Sequence, residues 1–189
     1  MINEVLTKIK DKLNDYFRVI TSSDTSQVTF LDGLKMDPLT FPPNSVVPVL
    51  INVEEEKIIR QANRYEGVVK NGIKTELNPA IGINLLVLFV SNFSDYEQSL
   101  QFLSLVISYF QKFPVLDHSN TPTLSDAVDK VVIELVTFPI AQQNELWNSL
   151  KTTYRPSMIY KIGVLVYRDH TSVIIANEVA TLEIKTNLQ

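Results

Sequence analysis

The sequence predicts a single domain of 189 residues in the α/β class, more specifically α+β, with helices flanking a mixed, mainly antiparallel sheet. Helical and strand-like periodicities alternate along the chain without a clean repetition of strand–helix–strand units. The segment Ile83–Val90 is apolar at nearly every position, which predicts a central strand buried on both faces. A chain of this length can bury a sizeable core without covalent staples. It contains no cysteine, which excludes disulfides and thiolate chemistry.

The N-terminal part combines one clear helix with an irregular segment. Apolar residues recur at helical spacing from about Asn3 to Ile20, which predicts an amphipathic helix. The segment Ser22–Asn44 is rich in proline and too long for an ordinary connection, so we expect an arm at about residues 22–45 that is functional, mobile or ordered by a partner. A strand is predicted over Val46–Val53, and Pro48 places it at a sheet edge or at a strand start.

The middle of the chain predicts a projection and a long helix. Polar residues and glycines over Gln61–Pro79 indicate a projecting loop or hairpin. The segment Ser94–Glu97 has the pattern of a capping box, which predicts a helix start with Ser94 as the N-cap. Apolar residues occupy more than one face of the helix that follows, so we expect burial on more than one side, and Pro114 ends it.

The C-terminal part predicts further strands around a short helix. An alternating strand covers Val131–Thr137, and Pro139 opens a short helix that carries Trp147. A second alternating strand follows over Met158–Arg168, with Tyr160 on its apolar side. Two terminal strands, within about residues 171–185, are predicted at Thr171–Ala176 and Val179–Lys185.

Composition and motifs argue against several function classes. The net charge of −4 argues against a nucleic-acid-binding face, and no apolar run is long enough to cross a membrane. The early charged residues do not fit a signal peptide. The two histidines, His118 and His170, lack partners at metal-ligand spacing, and no nucleophile elbow or phosphate loop is present. We therefore predict a protein that is not an enzyme and needs no cofactor or metal.

The candidate anchors of an interface or of the structure lie in one stretch: Trp147, Tyr154, Arg155, Pro156 and Tyr160. The tryptophan and the Tyr-Arg-Pro turn either pack internally or anchor an interface, because Trp, Tyr and Arg are enriched at interface hot spots. The Arg155 guanidinium can hold a carboxylate or backbone oxygens with two parallel hydrogen bonds.

These anchors belong to a distinctive pattern that covers roughly residues 3–168. Its most specific blocks are Ile133–Thr137, Asn144–Trp147 and Tyr154–Lys161. In these blocks the chain resembles the tail-terminator (cap) family of phage-tail-like contractile injection systems, of the Photorhabdus virulence cassette and antifeeding prophage type.

The resemblance implies a tail-terminator-like domain with a structural role. Such a protein closes the baseplate-distal end of the particle, docks on the last tube and sheath rings, fixes the tube length and anchors the sheath. Its implied partners are copies of itself in a ring, expected to be a homohexamer, together with the inner tube protein and the sheath protein, with no nucleic acid or membrane. Assembly in the bacterial cytoplasm, as part of a particle that can be released, is also implied.

Ring closure calls for heterologous contacts, in which one patch meets a different patch on the next copy. The arm and the strand Val179–Lys185 are candidates for reaching a neighbour. Two alternatives stay open. One is a baseplate or tube–sheath adaptor of the same kind of particle. The other is a small-molecule-binding or enzymatic domain with a site near Trp147, Arg155 and His118.

Overall fold

The computed structural model describes residues 1–34, 39–56, 67–70, 73–76, 81–167 and 174–176. The helices in these ranges are α1 (Ile2–Thr21), α2 (Tyr96–Lys112) and α3 (Ile140–Ser149). The strands are β1 (Ser45–Glu55), β2 (Gly67–Lys70), β3 (Ile73–Glu76), β4 (Ile81–Asn92), β5 (Val115–Asp117), β6 (Val128–Val136), β7 (Ser157–Tyr167) and β8 (Ile174–Ala176).

The strands form a five-stranded sheet in the order β1-β4-β7-β6-β5 and a three-stranded sheet in the order β2-β3-β8. Every strand pair in the described residues is antiparallel, and the parallel contact found there is the isolated bridge between Val28 and Val46. The α+β class is confirmed. The hairpin prediction is confirmed as well, since β2 and β3 pair antiparallel within the polar segment.

Strand β4 lies between β1 and β7 and is buried on both faces, as its apolar run predicts. Successive side chains of a strand point to opposite faces. One face therefore receives Leu85, Val87 and Phe89, and the other receives Leu88 and Val90. The apolar residues of β4 must consequently be covered by a layer on each side of the sheet.

Helices α1 and α2 form the layer on the first face. The apolar stripe of α1 is buried through Val5, Ile9, Leu13 and Phe17, which confirms the predicted amphipathic helix. The two helices meet where the rings of Phe17 and Phe102 lie 5.2 Å apart. This pairing brings both helices onto the same apolar surface of the sheet.

The second face is covered in part by α3 and by the arm. The arm packs on its own domain at two points: Leu39 and Phe41 join the core of the second face, whereas Val28 joins the core of the first face. The Asn14 side chain donates to the Val28 carbonyl oxygen over 2.9 Å and accepts from the Val28 N–H over 2.8 Å. Val46 donates to the Gln27 carbonyl oxygen and accepts from the Thr29 N–H, so its peptide groups face away from β4.

Strand β1 is an edge strand of the five-stranded sheet, as Pro48 predicts. The N–H and C=O groups of successive residues in a strand point to opposite sides of the strand. The nitrogen of Pro48 therefore faces away from β4, as that of Val46 does. The missing N–H therefore leaves the ladder to β4 intact.

Two expectations from the sequence need correction, and one short strand was missed. The N-cap of α2 is Asp95, whose side chain accepts from the Glu97 N–H over 3.1 Å, and Ser94 precedes it. The predicted burial of this helix on more than one side is incomplete, because Tyr96 and Leu100 on one of its apolar faces are exposed. Strand β5 was not predicted, because a three-residue strand after Pro114 carries too little pattern. The predicted strand Val179–Lys185 lies outside the described residues.

Replacement of the N-cap residue tests the corrected helix start. Asp95→Ala removes the side-chain acceptor of the Glu97 N–H, and we expect the free energy of unfolding to fall by about 1 kcal/mol. Ser94→Ala is the matched control and should change it by less than about 0.5 kcal/mol. Denaturant titration followed by circular dichroism measures both. A larger loss for Ser94→Ala than for Asp95→Ala would instead support Ser94 as the N-cap, as the sequence pattern predicts.

Candidate interface at the Trp147 end of the sheet

Trp147 is the centre of the packing on the second face. Its side chain is 5% exposed and lies in a cluster with Val49, Leu88 and Ile159. The indole packs edge-on against Phe41 of the arm, with ring centroids 6.2 Å apart. Its Nε1 atom is buried and has no hydrogen-bond partner among the described residues, so Trp147 stabilises this end through the packing of its ring.

One backbone hydrogen bond and two bonds from a side chain attach the neighbouring loop and the arm to the end of β4. The Ser91 N–H donates to the Pro156 carbonyl oxygen over 2.9 Å. The Asn92 side chain donates to the carbonyl oxygens of Phe41 and Pro42, over 3.0 and 2.9 Å. These bonds hold the backbone before β7 and the arm at fixed positions beside Trp147.

The predicted anchors divide into buried and exposed residues. Trp147 is buried on the second face, whereas Tyr160 is buried on the first, with its ring 4.6 Å from that of Phe110. Tyr154 is 62% exposed and packs its ring 5.4 Å from the indole, and Arg155 is exposed as well. The anchors that are accessible to a partner are therefore Tyr154 and Arg155. The backbone that follows them is held by the hydrogen bond from Ser91 to Pro156.

The other half of the second face is polar, which the sequence reasoning missed. A register shift in β1 between Leu50 and Asn52 changes which side chains face this side of the sheet. Before the shift Val47 and Val49 lie there; after it Asn52 and Glu54 lie opposite Leu86 and Asn84. The spacing of two between Asn52 and Glu54 could have suggested that one face of this strand is polar. The pairing register that brings the polar residues of different strands together is decided by the tertiary structure.

Charged side chains on this polar half are paired across strands. The Lys161 ammonium lies 2.7 Å from the Glu134 carboxylate, and this hydrogen bond raises the pKa of Lys161. Asn84 donates to Glu56 over 2.7 Å. A side chain at Gly163 would have its Cβ atom 3.3 Å from the Asn84 Oδ1 atom, so glycine keeps this floor open. The result is a shallow cavity of about 180 Å³, lined in part by Glu56, Asn84, Glu134 and Lys161.

His118 is an exposed residue of the turn after β5. The Asp117 carboxylate accepts from the backbone N–H groups of Ser119 and Asn120, and the Ser119 hydroxyl lowers the pKa of Asp117. The Lys12 ammonium donates to the Asn120 carbonyl oxygen over 2.9 Å, which ties this turn to α1 on the first face. The structure therefore does not bring His118 together with Trp147 and Arg155.

The described residues contain no group of three or more His, Cys, Asp or Glu side chains placed to hold a metal ion. Within the same ranges, no helix combines the length and the apolar character required to span a bilayer. The chemistry of this part of the molecule is that of packing, hydrogen bonding and paired charges. In architecture it is an α+β domain, with a five-stranded antiparallel sheet between a layer of two helices and a layer formed by α3 and the arm.

Comparison with known proteins identifies the family. The chain matches the family model of the Pvc16 N-terminal domain over residues 4–180. It therefore belongs to the Pvc16 N-terminal domain family. No curated protein matches the chain significantly in sequence.

Two solved structures share the fold. The anti-feeding prophage cap, described as a tube terminating cap, aligns with a TM-score of 0.60 at 14% identity, over 95% of this chain and 61% of that one. The sheath/tube terminator of an extracellular contractile injection system (PVC), in its extended state, aligns with a TM-score of 0.58 at 16% identity, over 100% of this chain and 65% of that one. The chain thus spans less than two thirds of either relative.

The burial of Trp147 predicts a large loss of stability on truncation. Trp147→Ala leaves a cavity between the arm and the sheet, and we expect the free energy of unfolding to fall by about 3–5 kcal/mol. Arg155→Ala, at an exposed position nearby, should change it by less than about 0.5 kcal/mol. Denaturant titration measures both variants. Equal, small effects would contradict a core role for the indole.

The buried tyrosines predict a loss of stability at high pH. Burial raises the pKa of Tyr160 to about 12, and burial together with the charge of Asp15 raises the pKa of Tyr109 to about 12. The unfolded chain releases these protons near pH 10. Below about pH 10 the two tyrosines therefore do not change the free energy of unfolding. It falls as the pH rises further, through the pKa values that the tyrosines have in the folded state.

Tyr160→Phe and Tyr109→Phe should each make this fall shallower, because phenylalanine has no proton to release. Denaturant titrations below about pH 10 and at about pH 12 measure how steeply the free energy of unfolding falls with pH. An unchanged slope in the double variant would show that these tyrosines do not cause the fall.

Proposed function

We propose that this chain is a structural tail terminator. In this role it closes the baseplate-distal end of a contractile injection particle, docks on the last tube and sheath rings, fixes the tube length and anchors the sheath. The observation that carries the proposal is the family match over residues 4–180, with the fold shared with a tube terminating cap and a sheath/tube terminator. The proposed partners are copies of this chain in a hexameric ring, the inner tube protein and the sheath protein.

The surface chemistry supports a role without catalysis. In the described residues the Lys161 and Glu134 side chains are paired, and no grouping suited to hold a metal is present. A terminator needs broad protein-binding surfaces rather than a reactive site. We propose assembly in the bacterial cytoplasm, on a tube that has reached its final length.

The exposed anchors are the proposed docking point of this domain on its particle. Tyr154 and Arg155 follow α3 on a loop whose end is hydrogen-bonded to β4 through the Pro156 carbonyl oxygen. A supported backbone reduces the conformational entropy that binding must remove. The Arg155 guanidinium suits a carboxylate or backbone oxygens of a tube or sheath subunit.

The proposal is tested by the length of tubes in particles from cells that lack this chain. Electron microscopy should show overlong, ragged or sheath-stripped tubes, because nothing would stop growth or hold the last sheath ring. Particles of normal length with closed ends would contradict the terminator function and favour an adaptor.

The same cells supplied with variant chains test the docking point. Arg155→Glu should leave the tube defect uncorrected, since it reverses the charge at the proposed contact. Lys151→Glu is the matched control, because it makes the same reversal at an exposed residue of the preceding loop. Correction of the defect by both variants would remove Arg155 from the docking surface while leaving the terminator function in place.

A further inference from the structure

Two glycines provide the space for the cavity in the polar half of the second face. A Cβ atom at Gly82 would lie 3.0 Å from the Glu56 Cβ atom, closer than an ordinary van der Waals contact. At Gly163 the corresponding distance to the Asn84 Oδ1 atom is 3.3 Å. Glycine weakens a strand interior and often marks a place where another group approaches closely. The two strands are therefore shaped here around polar side chains rather than around apolar packing.

Asn84 directs an acceptor without a donor into this cavity. The residue lies in the central strand β4 and is 9% exposed. Its Nδ2 atom donates to the Glu56 carboxylate over 2.7 Å. Because a carboxylate only accepts, the Oδ1 atom is the one that lies over Gly163, and it accepts no hydrogen bond from the described residues. A buried acceptor without a donor costs free energy, so the cavity has a place for a donor that the described residues do not supply.

The charge around the cavity is negative. The Lys161 ammonium and the Glu134 carboxylate lie 2.7 Å apart in its wall. Their hydrogen bond is the largest cause of the raised pKa of Lys161. The charges of Glu134, Glu56 and Glu54 raise this pKa further, whereas burial lowers it. Glu54 lies directly across from Asn84 in the sheet. Even with Glu56 left aside, two carboxylates are therefore present for one ammonium.

The acceptors and the charge of the cavity select one class of ligand. The described residues contain no group of three or more His, Cys, Asp or Glu side chains placed to hold a metal ion. An anion would be repelled by the excess of carboxylates, and an apolar group would leave the Asn84 Oδ1 atom without a donor. A guanidinium has a positive charge and five N–H donors in one plane, and it accepts nothing. It can therefore donate to a carboxylate and to an amide oxygen at once.

We propose that the cavity is an arginine site, into which a neighbouring protein subunit inserts a guanidinium. The arginine site comprises Asn84, Glu134, Lys161 and Gly163. The guanidinium donates to the Asn84 Oδ1 atom and to the Glu134 carboxylate, and the missing side chain at Gly163 leaves the space for it. The Glu134 side chain is 55% exposed although it pairs with Lys161, so a neighbour can reach it. That the neighbour is a subunit of the injection particle rests on the proposed function, whereas the chemistry of the site does not.

N-acetyl-arginine amide is the probe for this chemistry, and N-acetyl-citrulline amide is the matched control. Citrulline has the shape of arginine, but its urea group is neutral and carries an oxygen in place of one nitrogen. Each compound is titrated into the full isotope-labelled chain, and NMR follows the side-chain NH2 group of Asn84 and the backbone N–H of Gly163. We expect saturable shifts of both signals with the arginine compound, and none with the citrulline compound at the same concentration.

Two variants remove different parts of the arginine site. Glu134→Gln removes the charge of the carboxylate, and we expect it to weaken binding of the arginine compound about tenfold, as for the loss of one charge-assisted hydrogen bond. Gly163→Ala changes no charge but fills the floor of the cavity, and it should abolish the saturable shift of Asn84. Asp129→Asn is the matched control, because it removes the same charge from an exposed position of β6 that does not line the cavity. It should leave the affinity unchanged, and the spectra show whether each variant is folded.

Four results would overturn the arginine site. Equal shifts with the citrulline compound would show that the charge is not recognised. Equal weakening by Asp129→Asn would show a diffuse attraction rather than a site. No saturable shift in any of these chains would remove the cavity as a binding site. Binding that appears only after Arg60 and Arg64, which lie outside the described residues, are both replaced by glutamine would show that the chain itself supplies the guanidinium.

Assembled particles test whether a neighbour uses the arginine site. Glu134→Arg places a guanidinium of the chain itself in the cavity wall, so we expect less of this chain in purified particles, whereas Asp129→Arg should be incorporated like the unaltered chain. Full incorporation of both variants, with a tube length that still depends on this chain, would overturn the contact and leave the terminator function standing. Reduced incorporation of Glu134→Arg in particles whose length does not depend on this chain would support the contact and overturn the terminator function.

Discussion

The structure depends on the need to cover strand β4 on both faces. Its apolar side chains alternate between two surfaces, so a single layer would leave half of them in water. On one side Phe89 packs against Phe110 of α2, with ring centroids 5.5 Å apart. On the other side Leu88 and Val90 lie under Trp147. The amphipathic helices, the return of the arm and the position of the tryptophan are all consequences of that requirement.

The second face shows how one sheet can carry both a core and a solvated surface. The register shift in β1 ends the apolar half at about Leu50 and begins the polar half at Asn52. Across the polar half, the Lys161–Glu134 pair is partly exposed and contributes little to stability. The same strands therefore support a rigid end at Trp147 and a polar surface farther along.

Such a domain suits a role in an assembly. Tyr154 and Arg155 are held by a backbone tied to β4, on the side of the sheet opposite to the layer of α1 and α2. A partner that docks on these two residues, as proposed above, would therefore leave the helical layer uncovered.

The sequence by itself determined the class of the fold, the main helices and strands, the edge position of β1 and the candidate anchors. Periodicity, proline and charge are local properties of the chain, so they can be read without coordinates. Tertiary structure decided the rest. It separated buried Trp147 and Tyr160 from exposed Tyr154, and it left Leu100 open while covering Val106. Those differences depend on register and on which layer covers a residue, and neither is encoded within one turn or strand.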